Sequence, residues 1–313
     1  MSTVIRQTHL TKSRKQMKCI LRNWDLYLLL IPVLAYFIIF HFAPMYGVQI
    51  AFRQFSFRKG ITGSTWVGLK HFERFFSSFY FKRLMINTLT ISIYNLILGF
   101  PVPIILALLL NEVKNPHYKK TIQTITYAPH FLSTVVMVSI INALFSSSTG
   151  IVNNIAQALG GQRTDYITEP AYFKSLYVLS GIWQSMGWNS IIYIAALSGI
   201  DPTLYEAGRV DGASKWKMML HITLPCILPT ISIMLILNCG RMMSIGFEKV
   251  YLMQNDLNIA ASDIISTYVY KSGLINSEYS FSTAVGLFNS VINCILLVTV
   301  NAITGKLSDT KIF

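Results

Sequence analysis

Charged residues are scarce in this chain. They make up 12% of its 313 residues, about half the roughly 25% of an average soluble domain. Apolar residues make up 53% and gather into blocks of about twenty or more. Together these exclude a soluble globule and indicate an integral membrane protein. Cysteine is scarce too: Cys19, Cys226, Cys239 and Cys294 stand apart, within or beside apolar segments. That spacing excludes a disulfide framework and a cysteine metal site, and makes them small apolar fillers. No GxxxxGK[ST] loop is present, so the chain has no usual cradle for a nucleoside triphosphate. Acids are nearly missing from the apolar blocks, which argues against an ion-coupled secondary transporter. His41 and His130 are the only histidines inside apolar runs. Neither has a nucleophile or metal ligand at useful spacing, so both read as structural, and a membrane enzyme is disfavoured. No metal, cofactor or catalytic residue is expected.

What is present is a pattern of spans. Apolar runs at about 26–46, 84–110, 121–145, 172–197, 222–246 and 282–304 predict six transmembrane helices in an all-α integral membrane fold. Pro32 and Pro44 are expected to kink or end the first. The domains read as a basic segment 1–25, a six-helix domain 26–304 and a tail 305–313. The net charge of +13 is dispersed among apolar blocks, which points to membrane orientation and away from nucleic acid. Cytoplasmic pieces 1–25, 111–120, 198–221 and 305–313 would hold fourteen Lys and Arg, and the three outer loops ten. Seven of those ten lie in the first outer loop. The basic amino end still dominates insertion, so both termini are placed inside. Phe72, Phe75, Phe76 and Phe79 recur at helical spacing, either as an interfacial helix or as packing against spans. Tyr251, Tyr268, Tyr270 and Tyr279 suit an outer aromatic belt.

Arg241 is the deepest ionisable residue with a companion, Asn238, three residues away on the same face. An arginine and an amide there could donate to sugar hydroxyls or a carboxylate; equally, Arg241 could snorkel outwards or pair with Glu248. Trp183, Gln184, Trp188, Asn189 and Tyr193 form an aromatic–polar series in the fourth span. Gln184 and Trp188 share a face, which suits either sugar binding or helix packing.

The most ordered stretch between spans is Asp201–Pro225. Asp201 is expected to cap a helix with Pro202 at its first position. Leu204, Ala207 and Gly208 share a face. Gly212 supplies a left-handed stop, Ser214 caps a second helix, and Leu224-Pro225 breaks it.

Glu206-Ala207-Gly208, then Gly212, then Ile222-Thr223-Leu224-Pro225, resembles the EAA motif of permease subunits of binding-protein-dependent ABC importers. Gly208 departs from it, since many members carry a second alanine there. Pro44-Met45-Tyr46-Gly47, Trp66-Val67-Gly68-Leu69, Gly246-Phe247-Glu248 and Ala284-Val285-Gly286-Leu287 extend the likeness to the carbohydrate branch, nearest to oligosaccharide and polyuronide importers. The resemblance implies a type I ABC-importer permease fold in a bacterial cell membrane. The loop 199–225 would dock on an ATPase subunit through Glu206, Ala207, Gly208, Asp211, Gly212, Leu224 and Pro225. Implied partners are a second, homologous permease in a heterodimer, two ABC ATPases, an extracellular or periplasmic sugar-binding protein and membrane lipid. Counted from Leu224-Pro225, the positions that line the sugar pocket of maltose permeases fall near Gln184, Trp188, Asn238, Arg241 and Met242. A permease for a non-sugar solute would share the coupling loop. Leu159-Gly160-Gly161-Gln162-Arg163 resembles the signature of ABC ATPases, but without a phosphate loop it reads as a glycine turn after a short helix.

Overall fold

A computed structural model describes residues 23–307. The expected basic amino segment up to Arg22, with Cys19, and the tail from Ser308 lie outside the described residues. The chain divides after Gly68 into two compact units.

The first unit is a 29-residue helix, α1 (Trp24–Phe52), followed by a small hairpin. Strands β1 (Arg53–Ser56) and β2 (Ser64–Trp66) pair antiparallel, with Arg53 opposite Trp66. Arg53 Nη1 donates to the carbonyls of Thr62 and Ser64 at 2.9 Å, and Phe52 stacks on Trp66 at 5.6 Å. His41 lies against the rings of Phe37 and Tyr36, at 5.1 and 5.5 Å.

The second unit is helical throughout. Its elements are α2 (Lys70–Phe76), α3 (Phe79–Glu112), α4 (Pro116–Phe131), α5 (Thr134–Phe145), α6 (Ile151–Ala158), α7 (Pro170–Ser198), α8 (Pro202–Val210), α9 (Lys215–Cys239), α10 (Phe247–Met253), α11 (Ile265–Tyr270) and α12 (Tyr279–Leu307). Among the described residues, α1, α3, α9 and α12 are each long and apolar enough to cross a membrane. The expected third span, 121–145, is not one rod: α4 and α5 meet at a 102° bend. The expected fourth, α7, has 29 residues and is about 43 Å long, but its polar residues dilute its apolar character.

Pro44 and Pro225, expected to kink, end or break helices, lie inside continuous ones, and so does Pro101. In each case a widened π turn stands just upstream: Ile38–Phe42 before Pro44, Asn95–Gly99 before Pro101, and Met219–Thr223 before Pro225. Proline lacks the N–H that would bond the carbonyl four residues back, and its ring crowds that carbonyl. A wider turn shifts the ladder past the gap and lets the helix continue. Leu224-Pro225 is therefore a bulged passage, not a break.

Three apolar clusters hold the second unit together. Ile91, Met137, Phe173 and Val250 join α3, α5, α7 and α10. Phe75, Leu84, Met243, Phe281 and Val285 join α2, α3 and α12. Ile104, Ala107, Tyr193, Leu197 and Ile227 join α3, α7 and α9. Phe75 is 1% exposed, so packing accounts for it, whereas Phe79 is 88% exposed. Polar clamps supplement the clusters: Arg83 Nη2 meets Asp263 Oδ2 at 2.8 Å, and Asn87 Nδ2 donates to the carbonyls of Ala260 and Asp263. The stretch after α6 forms the expected glycine turn, with Gly160 at φ +83° and Gly161 N donating to Ala156 O.

Candidate functional site: a polar cavity joined to a capped helical loop

A cavity of about 450 Å³ lies among α3, α7 and α9, between the first and third apolar clusters. Its floor and walls are unusually polar for a region of apolar helices. Ser92 and Asn95 come from α3, Ser185, Asn189 and Tyr193 from α7, and Asn238, Arg241, Met242 and Ser244 from α9 and the turn after it. No carboxylate is among the lining residues.

Local chemistry explains each position. Asn95 opens the widened turn that Pro101 requires, so a proline several residues away sets the backbone geometry around a cavity amide. Ser185, Asn189 and Tyr193 recur every four residues and so share one face of α7. The turn that carries Arg241 is pinned from two sides. Ser92 Oγ donates to Met242 O on one side. On the other, Met243 N donates to Asn293 Oδ1, and Asn293 Nδ2 donates to Ser244 Oγ, both at 2.9 Å. Gly240 allows the approach of α12: a β-carbon there would meet Leu297 Cδ1 at 2.3 Å. Arg241 is exposed to the cavity and makes no ion pair among the described residues, with Glu248 or any other carboxylate. Asn238 Nδ2 returns a bond to Met234 O at 2.8 Å, and its side chain is among those that line the cavity.

Asn238, Arg241 and Met242 are thus brought together, while Gln184 and Trp188 lie elsewhere. Gln184 Nε2 donates to Leu132 O at 3.0 Å, and Trp188 stacks on His130 with ring centroids 4.4 Å apart and planes 3° apart. Both brace the α4–α5 bend. The cavity face of α7 is offset by one residue, about 100°, and carries Ser185 and Asn189 instead. Ser92, Asn95, Ser185 and Ser244 gave no sequence signal beyond being small and polar. The four-residue recurrence of Ser185, Asn189 and Tyr193 was the one available pointer.

At the cavity's edge, Tyr177 and Gly246 lead to Lys249. Lys249 is 9% exposed; its Nζ donates to Tyr177 O at 3.0 Å and lies 5.0 Å from the centre of the Tyr177 ring. Burial pushes its pKa down to about 8, because the charged form loses hydration without gaining a carboxylate.

Helices α7 and α9 run from the cavity to the loop 199–225, whose caps and glycine turn have the expected geometry. Asp201 caps α8, accepting from Thr203 N at 2.9 Å, and those bonds hold its carboxyl below the usual carboxylate range. Gly212 takes φ +71°, and Ala213 N donates to Gly208 O at 2.9 Å, closing α8 with a left-handed stop. Ser214 caps α9 through Lys217 N. The two helices dock through Gly208, which is buried, and through Tyr205 Oη and Thr223 Oγ1 at 3.0 Å. Glu206, Ala207 and Asp211 are exposed. So are Val210 (88%) and Trp216 (70%). Glu206 makes no ion pair among the described residues. Asp211 stands at the C-cap of α8, the negative end of the helix, where a carboxylate is locally unfavourable. A loop rigidly capped within, yet presenting unpaired acids and large apolar groups, has the chemistry of a docking surface.

A β-carbon on Gly208 would lie 3.0 Å from Ile222 Cδ1 and 3.4 Å from Met218 Cγ. Both belong to flexible side chains, and alanine gains about 1 kcal/mol of helix propensity over glycine. Gly208→Ala is therefore expected to unfold at the wild-type temperature or slightly above, whereas Gly208→Leu should pry α8 from α9. Thermal unfolding of the detergent-solubilised chain checks this, and a large loss in the alanine variant would refute it.

Residues 93–308 match the family described as the inner membrane component of binding-protein-dependent transport systems. The chain is 44% identical to the protein LplB of Bacillus subtilis (strain 168), over 95% of this chain and 93% of that protein. It is 43% identical to the polygalacturonan/rhamnogalacturonan transport system permease protein YteP of the same organism, over 92% and 90%. Among solved structures, it superposes with a TM-score of 0.87 and 40% identity on a chain of a bacterial alginate ABC transporter in complex with an alginate pentasaccharide-bound periplasmic protein, covering 94% of this chain and 99% of that one.

Proposed function

The chain belongs to this family of inner membrane components of binding-protein-dependent transport systems, and from that premise we propose that it is the permease subunit of an ATP-driven importer of acidic oligosaccharides. The observation that carries the proposal is a continuous connection: α7 and α9 wall the polar cavity and are joined end to end by the capped loop that presents Glu206. A cavity of about 450 Å³ falls within the roughly 300–1,000 Å³ of small-molecule sites. Its amides and hydroxyls suit sugar hydroxyls. Arg241, with no carboxylate beside it, suits a uronate through charge-assisted hydrogen bonds. The named substrates of the relatives, polygalacturonan, rhamnogalacturonan and alginate, support that choice.

In this reading the chain spans the membrane six times, with α4 and α5 forming one broken span and both termini inside. A homologous permease completes the pathway as a heterodimer, two ATPases dock on the loops, and an external binding protein delivers the sugar. Hydrolysis belongs to the ATPases; this chain transmits their closure. Glu206, Ala207, Gly208, Asp211, Gly212, Leu224 and Pro225 form the docking element, and Asn238, Arg241 and Met242 line the sugar path. Gln184 and Trp188 act one step removed, by bracing the bend.

The test is uptake in proteoliposomes holding the assembled transporter and its binding protein. Arg241→Gln should lower uptake of an oligogalacturonide by at least about tenfold, as loss of a charged hydrogen bond of about 1.5–3 kcal/mol implies. Uptake by Arg241→Gln equal to wild type would remove the acidic assignment, and uptake without ATP would overturn the importer reading itself.

A further inference from the structure

The end of the second unit that carries α8 has another charged feature, in the segment joining α3 to α4. Lys114, His117, Lys119 and Lys120 follow one another there, with Glu112 as the segment's single carboxylate. That carboxylate already faces Lys215, at 3.9 Å across the start of α9. Among the described residues, Lys114, Lys119 and Lys120 make no ion pair.

The same stretch is amphipathic. No residue of Pro116–Tyr127 is buried, and Tyr118, Ile122 and Ile125 fall at i, i+4 and i+7 on one stripe. Tyr118 is 60% and Ile125 66% exposed. Helical periodicity turns Lys119 and Lys120 away from that stripe. The polar groups are satisfied within the helix: Asn115 Oδ1 accepts from His117 N and Tyr118 N, Thr121 Oγ1 donates to His117 O, and Thr124 Oγ1 donates to Lys120 O. The threonine hydroxyls beside the stripe are thus satisfied within the helix, and the Tyr118 hydroxyl suits the polar side of an interface, where tyrosine keeps its ring in apolar surroundings and its hydroxyl in water. Two residues beyond Thr124 the helix meets α7 at Gly187, where protein packing takes over.

We propose that this segment binds an anionic phospholipid, with the phosphate held by Lys114, Lys119 and Lys120 and the Tyr118–Ile122–Ile125 stripe along the acyl boundary. Charge complementarity fixes the sign of the partner. The apolar stripe beside the lysines favours a lipid over an acidic protein face, because it needs a hydrocarbon surface at the same level. Lysine stems are long enough to reach headgroups from a helix lying at that boundary. The Glu112–Lys215 contact places the bound lipid next to the first turn of α9, inside the docking loop 199–225.

The test is native mass spectrometry of the full chain, with its co-purifying subunits, titrated with phosphatidylglycerol or phosphatidylcholine. The wild type should retain phosphatidylglycerol preferentially, and retention should fall with salt. Lys114→Gln, Lys119→Gln and Lys120→Gln together should weaken it by about fivefold per lysine removed. Arginine at the same three positions should preserve it, and Lys70→Gln with Lys82→Gln should leave it unchanged. Equal retention of the two lipids, salt-independent retention in the wild type, or full retention in the glutamine triple would overturn the proposal. So would weakened subunit association with unchanged lipid retention, which would assign the lysines to a protein partner. Should the glutamine triple fail to fold, the salt titration and the arginine triple still decide.

Discussion

Replacing Glu206 by alanine is expected to uncouple sugar uptake from ATP hydrolysis while leaving the fold intact. The carboxylate is exposed and makes no ion pair among the described residues, so its removal orphans nothing within this chain. The caps that close α8 and open α9 rest on Asp201, Gly212 and Ser214, and Glu206 takes part in none of their hydrogen bonds. Its loss should instead be felt across the proposed docking surface. Truncating one partner of a desolvated charge pair costs about 2–5 kcal/mol, much of it from the partner charge left buried and alone. Uptake in reconstituted vesicles should fall by about thirtyfold or more, with thermal unfolding of the isolated chain unchanged. ATP hydrolysis should persist at its basal rate and lose its stimulation by sugar. Hydrolysis that still responds fully to sugar would remove Glu206 from the coupling role, and a lowered unfolding temperature would make its role structural.

The docking loop was legible in the sequence because its chemistry is local. Asp201 beside Pro202, Gly212 in a left-handed turn and Ser214 ahead of Lys217 are each set by neighbours within a few residues, and all three take the expected geometry. The prolines were misleading for the opposite reason. Pro44 and Pro225, like Pro101, lack a donor wherever they stand, but a stop follows only if the helix cannot widen. The π turns upstream show that it does, and no sequence pattern distinguishes the two outcomes.

The cavity was half legible. Asn238 and Arg241 stand out because polar groups are costly among apolar residues. On α7, polar and aromatic residues occur on adjacent faces, so periodicity alone does not choose between Gln184 with Trp188 and Ser185 with Asn189. Rotation of α7 makes the choice, and close contact with α4 sets that rotation. Between apolar helices, where lipid tails compete equally for apolar surface, such contacts depend on small residues that let backbones approach.

Gly187 is that contact, and alanine there is expected to be among the most damaging single substitutions in the second unit. A β-carbon on Gly187 would lie 2.2 Å from the Thr126 carbonyl oxygen and 2.4 Å from its carbon. These are backbone atoms inside α4, so no side-chain rotation relieves the clash. The two helices must part. Parting them would withdraw Gln184 from Leu132 O and Trp188 from His130, the two contacts that brace the 102° bend. It would also rotate Ser185 and Asn189, on the other side of the same helix turn, out of register with Arg241. Overpacking of this kind costs about 1–3 kcal/mol and occasionally more, and a backbone obstacle belongs at the upper end. Gly286→Ala on α12 supplies the control, since a β-carbon there meets nothing within 4 Å, and alanine at a helical site gains about 1 kcal/mol over glycine. Gly187→Ala should therefore lower the unfolding temperature by several degrees and abolish uptake, while Gly286→Ala holds or raises it. Both measurements are needed: a stable but inactive Gly187→Ala would mean that α7 rotates without separating, and a stable, active one would mean that the Gly187–Thr126 approach does not position the cavity.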